Sequence, residues 1–597
     1  MSDAPTMKTT TTATRNQTDE TARTIPSEAA PTTPETLSRL VARRGVDRGS
    51  MVFCIRLGTD QHYPTRGRPP VGLGASHGLP ATMAEPVPPA GPVDPDRQMP
   101  PPTPQLRTDA SSRVGRIVGH PGFFWITVAL FTASGWWIAL SVNHDLLFDE
   151  GYHMAIVRIF SDQWSPFIVQ TPDQAWLGDL SRFGSYLYHY VMAVPLRLLR
   201  WSGADLDTQY VVLRALTVLL VSASLWWFRR TLLLCGIGRG TAQLAIFLFA
   251  ALPLTSFVAA TINYDNALLL LAAVFFALTA RILTIERVSG MRLLGLVAVG
   301  CLACLAKFTF LPVFLVCIVG ICVVLLRRRR LSSVRALTTA ERPDRRRPLV
   351  TVGVVALAIV AVGLFAERYL VSLIAFNSPQ PDCDAIHSEA FCRNYGPWER
   401  NAQLDDAFPD RSASLVDFAS YALRAWVPTL VKTFSTVGWA GGYREADTVT
   451  ATVIATAAAA VLLLCAVAIP RVVRSAPLAV LALAFVVLVA SLLVRNYGEY
   501  LRLGVVLAVS GRYILPFIPL ALGVAGVGAG FLLSRTGRWR PPIEAVVAVV
   551  AVLGATQGGF AIAFLAAAQP DWLSPASPLA SITPALQAVA RFLMIGI

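Results

Sequence analysis

Charge is what this chain has least of. Only 15% of its 597 residues are Asp, Glu, Lys or Arg, against 54% hydrophobic. The mean hydropathy is +0.54. An ordinary soluble domain, about a quarter charged, is excluded. Lysine is nearly missing, with Lys8, Lys307 and Lys432 the only three. The formal net charge of +14 is therefore carried almost wholly by Arg. Those arginines cluster in short links between apolar runs, so the charge needs no nucleic-acid partner to explain it. Arg in place of Lys, with abundant Ala, reads as a high-GC bacterial genome.

Met1 is not followed by a basic and then an apolar stretch, so no cleavable signal peptide is expected at this start. Residues 1–115 instead run through Thr9–Thr14, Pro86–Pro95 and Pro100–Pro104 with little apolar periodicity. Such a segment cannot bury enough surface to offset its ordering entropy, and a disordered cytoplasmic tail is expected. Residues 116–597 are expected to form an all-α, polytopic transmembrane bundle. Eleven apolar stretches are long enough to cross a ~30 Å hydrocarbon core or nearly so: 122–142, 211–228, 241–259, 264–283, 291–306, 308–326, 349–370, 448–469, 476–494, 512–533 and 543–567.

Arg placement gives the orientation. With a cytoplasmic N-terminus, inner links and their flanks hold twenty arginines, nine of them between Arg327 and Arg347. The short outer links hold only Lys307, Arg495 and Arg502. This is the positive-inside pattern, with the C-terminus outside. Two long loops, 143–210 and 371–447, then face outward. Tyr186–Trp201 in the first is apolar but short and broken by Pro195, Arg197 and Arg200, which suits a helix lying in the interface. Cysteine is sparse and scattered, and seven of the nine read as small apolar fillers. Cys383 and Cys392 fall in an oxidising outer loop with only His387 nearby, which favours a disulfide over a metal site.

Four outer patches hold chemistry-bearing side chains. In Phe148-Asp149-Glu150-Gly151-Tyr152-His153, a helix would set Asp149 on one face with Tyr152 and His153. Asp149 is then a candidate general base with Glu150 beside it, or else an Asx-type cap. Thr261-Ile262-Asn263-Tyr264-Asp265-Asn266 is a polar knot between spans, either a site or an Asn/Asp turn. Arg512, followed by Tyr513 and Pro516, opens a span where a guanidinium can take a phosphate at two points or snorkel to headgroups. Lys307 is the lone lysine of the bundle, suited to an anionic lipid or phosphate.

An acidic outer loop after the first span resembles the GT-C class of membrane glycosyltransferases, which includes the protein O-mannosyltransferases and aminoarabinose lipid A transferases. More narrowly, Phe148–His153, Asn263–Asn266 and Gly511–Pro516 are similar to the DUF2142 family of bacterial membrane proteins, over about residues 120–535. One departure stands out. Relatives carry a His-Pro-Pro-Leu-Tyr-Tyr-like stretch where this chain has Arg182-Phe183-Gly184-Ser185-Tyr186-Leu187-Tyr188.

The resemblance implies a polyprenyl-phosphate-linked sugar as donor and a hydroxyl on a glycan, lipid or protein as acceptor, at the outer face of the plasma membrane. Asp149 would be the base, supported by Glu150. Tyr152, His153, Asn263, Asp265, Lys307, Arg495, Arg512 and Tyr513 would bind substrate. Some GT-C enzymes use a divalent ion such as magnesium or manganese; Glu150, His153 and Asp265 are the candidate ligands, and nothing in the pattern demands one. The alternative is a transporter or flippase of lipid-linked saccharides. It predicts ionisable groups at span midplanes and paired broken helices, and the chain shows few of the former and no half-to-half repeat. A receptor or scaffold without catalysis is a third reading.

Overall fold

The computed structural model describes residues 113–597, except 144, 148, 286–287, 328–347, 409–413, 440–441, 445–447, 538–539 and 595–597. The expected tail up to residue 112, the Arg-rich link beyond Arg327 and Phe148 lie outside the described residues. What is described is all-α. The only strands among the described residues are Val437–Trp439 and Gly442–Arg444, an antiparallel pair with Val437 opposite Arg444.

Among the described residues eight helices are long and apolar enough to cross a membrane: Pro121–Ser141, Leu206–Leu234, Asp265–Thr284, Phe308–Arg327, Leu349–Phe376, Thr450–Arg474, Ala476–Leu503 and Gly511–Leu533. Several reach 28 or 29 residues, more than the ~20 that cross hydrocarbon, so their ends project as helix. Arg495 and Arg502 thus stand on a continuing helix, and the Leu349 helix runs on to Phe376 before Asn377 turns into a left-handed conformation. Only 11% of the apolar window in Leu349–Phe376 and 6% in Thr450–Arg474 is buried in the protein. Apolar faces that bare require a lipid covering. The molecule is a multi-pass membrane protein.

The remaining three stretches depart from straight spans. Residues 241–259 form two helices, Arg239–Ala250 and Pro253–Ala259, bent by 68°. Pro253 is the cause: it drives Leu252 to an extended backbone and contributes no N–H. The freed carbonyl of Ala251 accepts from the amide of Phe560 at 3.1 Å. Gly290–Ala306 is helical but only 17 residues long. The expected last span, 543–567, is two helices, Arg540–Thr556 and Ile562–Ala567, separated by a turn in which Gly558 and Phe560 both take positive φ. Beyond it the chain returns to the first long loop: Asn143 donates to the Trp572 carbonyl at 2.9 Å, and Ser574 donates to that of Ser141 at 2.9 Å.

The segment expected at the interface forms a helix over Leu187–Trp201 with Pro195 inside it. One side is buried through Tyr188, His189, Met192 and Leu196, while Val191, Val194, Leu198 and Trp201 are exposed. Arg197 reaches back to the carbonyls of Phe160, Ser161 and Gln163 at 3.0, 3.0 and 2.6 Å, closing the C-terminal end of the Glu150–Ser161 helix. That pairing fixes the short helix that begins beside Asp149.

Candidate active site

Glu150 and Asp149 are neighbours in sequence with opposite surroundings. Glu150 is fully buried, and its carboxylate accepts from Arg214 Nε at 2.9 Å and Nη2 at 2.5 Å. It also accepts the backbone amides of Leu146 at 2.7 Å and Ile262 at 3.0 Å. Arg214 in turn donates to the carbonyls of Val142 and Asn143 at 2.7 and 3.1 Å. Four donors fill the carboxylate, and through them Glu150 ties the first loop to the 261–266 knot.

Asp149 sits just before the helix in a left-handed conformation, φ 66°, ψ 31°, and its side chain caps nothing. The Asx-cap alternative is thereby removed, and so is the expected sharing of a helix face with His153. Its side chain is 63% exposed and meets Arg512 Nη2 at 3.3 Å, across 363 positions of sequence. It borders an open depression with Asp145, Leu146, Leu147, Glu150, Gly151 and Tyr152.

From Asp149 a line of alternating charge runs inward. Arg512 Nε lies 3.8 Å from Asp265 Oδ2, and the other Asp265 oxygen accepts from Lys307. The Lys307 ammonium sits over the rings of Tyr264 and Tyr513, 4.6 and 4.3 Å from their centroids, a cation–π cradle. Burial, only partly offset by Asp265 and reinforced by Arg512, draws its pKa down from 10.5 to about 8. Arg512 is placed by Gly511, whose amide donates to Thr433 Oγ1 at 2.6 Å. A Cβ at Gly511 would stand 2.7 Å from the Phe434 ring, so only glycine allows that approach.

The other residues of the two motifs divide. Asn263 Oδ1 accepts the Asp265 amide at 2.8 Å, so its carbonyl makes the turn and aims Asp265. His153 Nδ1 pairs with His189 Nε2 at 2.9 Å. Burial first, then His189, Arg512 and Lys307, holds His153 well below its usual 6.5; burial takes His189 to about 3. The pair is therefore neutral at physiological pH and supports the Tyr264 ring, whose centroid is 4.6 Å from that of His153. Tyr152 donates to the Leu177 carbonyl at 3.2 Å and faces Tyr395 of the second loop, with centroids 6.5 Å apart. Burial above all raises the pKa of both phenols, and Asp149 adds to it in each.

Lys307, Tyr264 and Tyr513 also floor a cavity of about 460 Å³ that opens towards the second long loop, with Arg495 on its wall. Cys383 and Cys392 form the expected disulfide there. The small loop it closes is tied to the first loop by His387, whose Nε2 meets Asp179 Oδ1 at 3.0 Å. Arg182, in the stretch that departs from the His-Pro-Pro pattern, bonds Glu367 Oε1 at 2.7 Å and Ser372 Oγ at 3.0–3.1 Å. Gly184 O accepts from Tyr369 at 3.2 Å, and Ser185 Oγ accepts the Phe308 amide at 3.1 Å. In this chain the segment anchors the first loop against the helix ending at Phe376 and against the Lys307 turn.

Among the described residues no group of three or more His, Cys, Asp or Glu converges to hold a metal ion. The three candidate ligands are engaged elsewhere: Glu150 by Arg214, His153 by His189 and Asp265 by Lys307. Sequence reasoning missed Arg214, His189 and Tyr395. Arg214 had a signal, being a lone arginine in an apolar run, which demands a buried partner; Tyr395 had none.

The fold and site define a multi-pass helical membrane protein in which Asp149, Arg512, Asp265 and Lys307 come together where helices end. The chain belongs to the family described as predicted membrane protein DUF2142, whose model matches residues 170–521. Asn263–Asn266, Lys307 and Arg512–Pro516 lie within that stretch, while Asp149 and Glu150 precede it. No curated protein matches the sequence. Among solved structures the chain is similar to ArnT from Cupriavidus metallidurans in the apo state, at 18% identity and a TM-score of 0.39, over 79% of this chain and 69% of that one. The form of ArnT bound to undecaprenyl phosphate gives 18%, 0.38 and the same coverage. At such values neither likeness bears on function.

Proposed function

We propose that this protein is a GT-C-type membrane glycosyltransferase that moves a sugar from a polyprenyl-phosphate donor to an acceptor hydroxyl at the outer face of a bacterial plasma membrane. One observation carries the reading: the exposed carboxylate of Asp149, held in a left-handed backbone conformation, heads a charge chain through Arg512 and Asp265 to Lys307. A non-glycine residue in that conformation is uncommon, Asp being among those that tolerate it, and such conformations concentrate at functional sites. Arg placement, read as marking the cytoplasmic side of the bundle, supports a site on the outer face.

The chemistry fits a single base. The acceptor oxygen attacks the anomeric carbon while Asp149 takes its proton. The bond from that carbon to the phosphate oxygen breaks, and the polyprenyl phosphate leaves with the electron pair. Its charge is met by Arg512 and Lys307, fixed beforehand by Gly511 and by the Tyr264–Tyr513 cradle. The Arg512–Asp149 contact opens as the phosphate takes the guanidinium, freeing the carboxylate to accept a proton. A second carboxylate of the kind glycosidases use is not needed, which agrees with a Glu150 occupied by Arg214.

The test is transfer from radiolabelled polyprenyl-phosphate sugars in membranes. Asp149→Asn keeps size and polarity but removes the base, so product should fall by ~10²-fold or more at unchanged expression. Turnover close to wild type in that variant would sink the assignment.

A further inference from the structure

The 460 Å³ cavity is built from more than the cations that floor it. Its wall towards the second loop carries Gln380, Asp382, Asp384, Trp398, Asn401 and Asp405. Carboxylates and amides accept and donate to vicinal hydroxyls, and an indole offers a flat face to a sugar ring; an apolar ligand would use none of this. Neither sign of charge dominates, since Arg400, Arg495 and Arg502 share the lining and Arg502 already pairs with Glu499 at 3.2 Å. A metal does not account for the carboxylates, as no three of them converge.

The Cys383–Cys392 bridge adds a further observation. Cys383 lies between Asp382 and Asp384, so the bridge pins the segment bearing both carboxylates at the cavity. Trp398 lies on the Gly396–Ala407 helix, which has no buried residue. A half-buried indole on a surface helix, turned to a polar cavity, is placed for a ligand and not for a core.

We propose that this cavity is a saccharide-binding subsite for a neutral sugar ring, stacked on Trp398 and read by Asp382, Asp384, Asp405, Gln380 and Asn401. It deepens the transferase reading by naming the side of the site that takes sugar. The ring belongs either to the donor or to a glycan acceptor, and the two sources separate experimentally.

The full chain in lipid nanodiscs is titrated with polyprenyl-phosphate mannose, with bare polyprenyl phosphate, and with an array of neutral, uronic-acid and amino-sugar oligosaccharides. If the subsite reads the donor, the sugar-bearing lipid binds more tightly than the bare one, and the difference disappears in Trp398→Ala. If it reads an acceptor, neutral oligosaccharides bind in the presence of bare lipid, and Trp398→Ala weakens them by about tenfold or more. Asp384→Ala and reduction of the disulfide should weaken the same ligand, in protein that still elutes as a single species. Trp398→Ala and Asp149→Asn are compared for the sugar-dependent part of binding alone, the difference between sugar-bearing and bare lipid or the affinity for free oligosaccharide: only Trp398→Ala should lose it, so failure of transfer and failure of the subsite are told apart. No sugar-dependent binding in either arm, binding indifferent to Trp398→Ala, or a preference for charged oligosaccharides would overturn the proposal.

Discussion

Breaking the Glu150–Arg214 pair should destabilise the protein severely, and breaking both sides together should not. The two side chains are 0% and 1% exposed. In Glu150→Leu the guanidinium is left buried without a counter-charge, a loss of ~3–5 kcal/mol. The amides of Leu146 and Ile262 lose their acceptors as well, at ~1–3 kcal/mol each. Against a typical total of ~5–15 kcal/mol, that single change should leave little folded protein. Arg214→Met alone strands the carboxylate and should lose ~3–5 kcal/mol. The double variant removes both charges together. It retains the unpaired amides, yet it should be at least ~3 kcal/mol more stable than the two losses summed. The measurement is a double-mutant cycle in mixed micelles with increasing SDS, read by tryptophan fluorescence, beside the yield of monodisperse protein. Additive losses would refute the buried-pair argument. Transfer per folded molecule decides the role: if Glu150 only positions the loop, the double variant retains most of it, whereas a catalytic Glu150 would leave it inactive at any yield.

Arg512→Lys keeps the charge but loses the planar fork, so the apparent KM for the lipid donor should rise several-fold, with Arg512→Ala worse; Lys as good as Arg would remove the donor-phosphate role. Thiol labelling of intact cells should miss Cys383 and Cys392 until a reductant is added, and the bridge should stabilise its nine-residue separation by roughly 2–3 kcal/mol; free labelling of both would refute it. For Lys307, drawn down to about 8, transfer should fall as pH rises through 8 because the cation is lost, and Lys307→Arg should abolish that fall in whatever activity it keeps. Stability runs the other way. The unfolded lysine holds its proton to about 10.5 while the folded one releases it near 8, so this group makes stability rise with pH across that interval. A flat activity profile from pH 7 to 9.5 would contradict the assignment.

The sequence by itself determined the class. Long apolar runs with most of their flanking charge in the links admit only a helical membrane bundle, because backbone polar groups in hydrocarbon must be satisfied within each helix. Local rules were equally legible in the Leu187–Trp201 helix, the Asn263 turn and the Cys383–Cys392 bridge, each set by spacing a few residues long. The bent stretch at Pro253 and the broken one at Gly558 were both read as single spans, because hydropathy alone reads through the breaks. What the sequence could not decide was which of two adjacent carboxylates meets solvent. Asp149 and Glu150 are alike in charge and one position apart. Their fates diverge because Arg214, 64 residues on, captures Glu150, and Arg512, 363 residues on, meets Asp149. The cavity beneath the second loop is equally invisible in one dimension, since Lys307, Trp398 and Arg495 share no local pattern. Long-range pairing of charge in a low-dielectric bundle fixes those partners, and it acts only once the helices have packed.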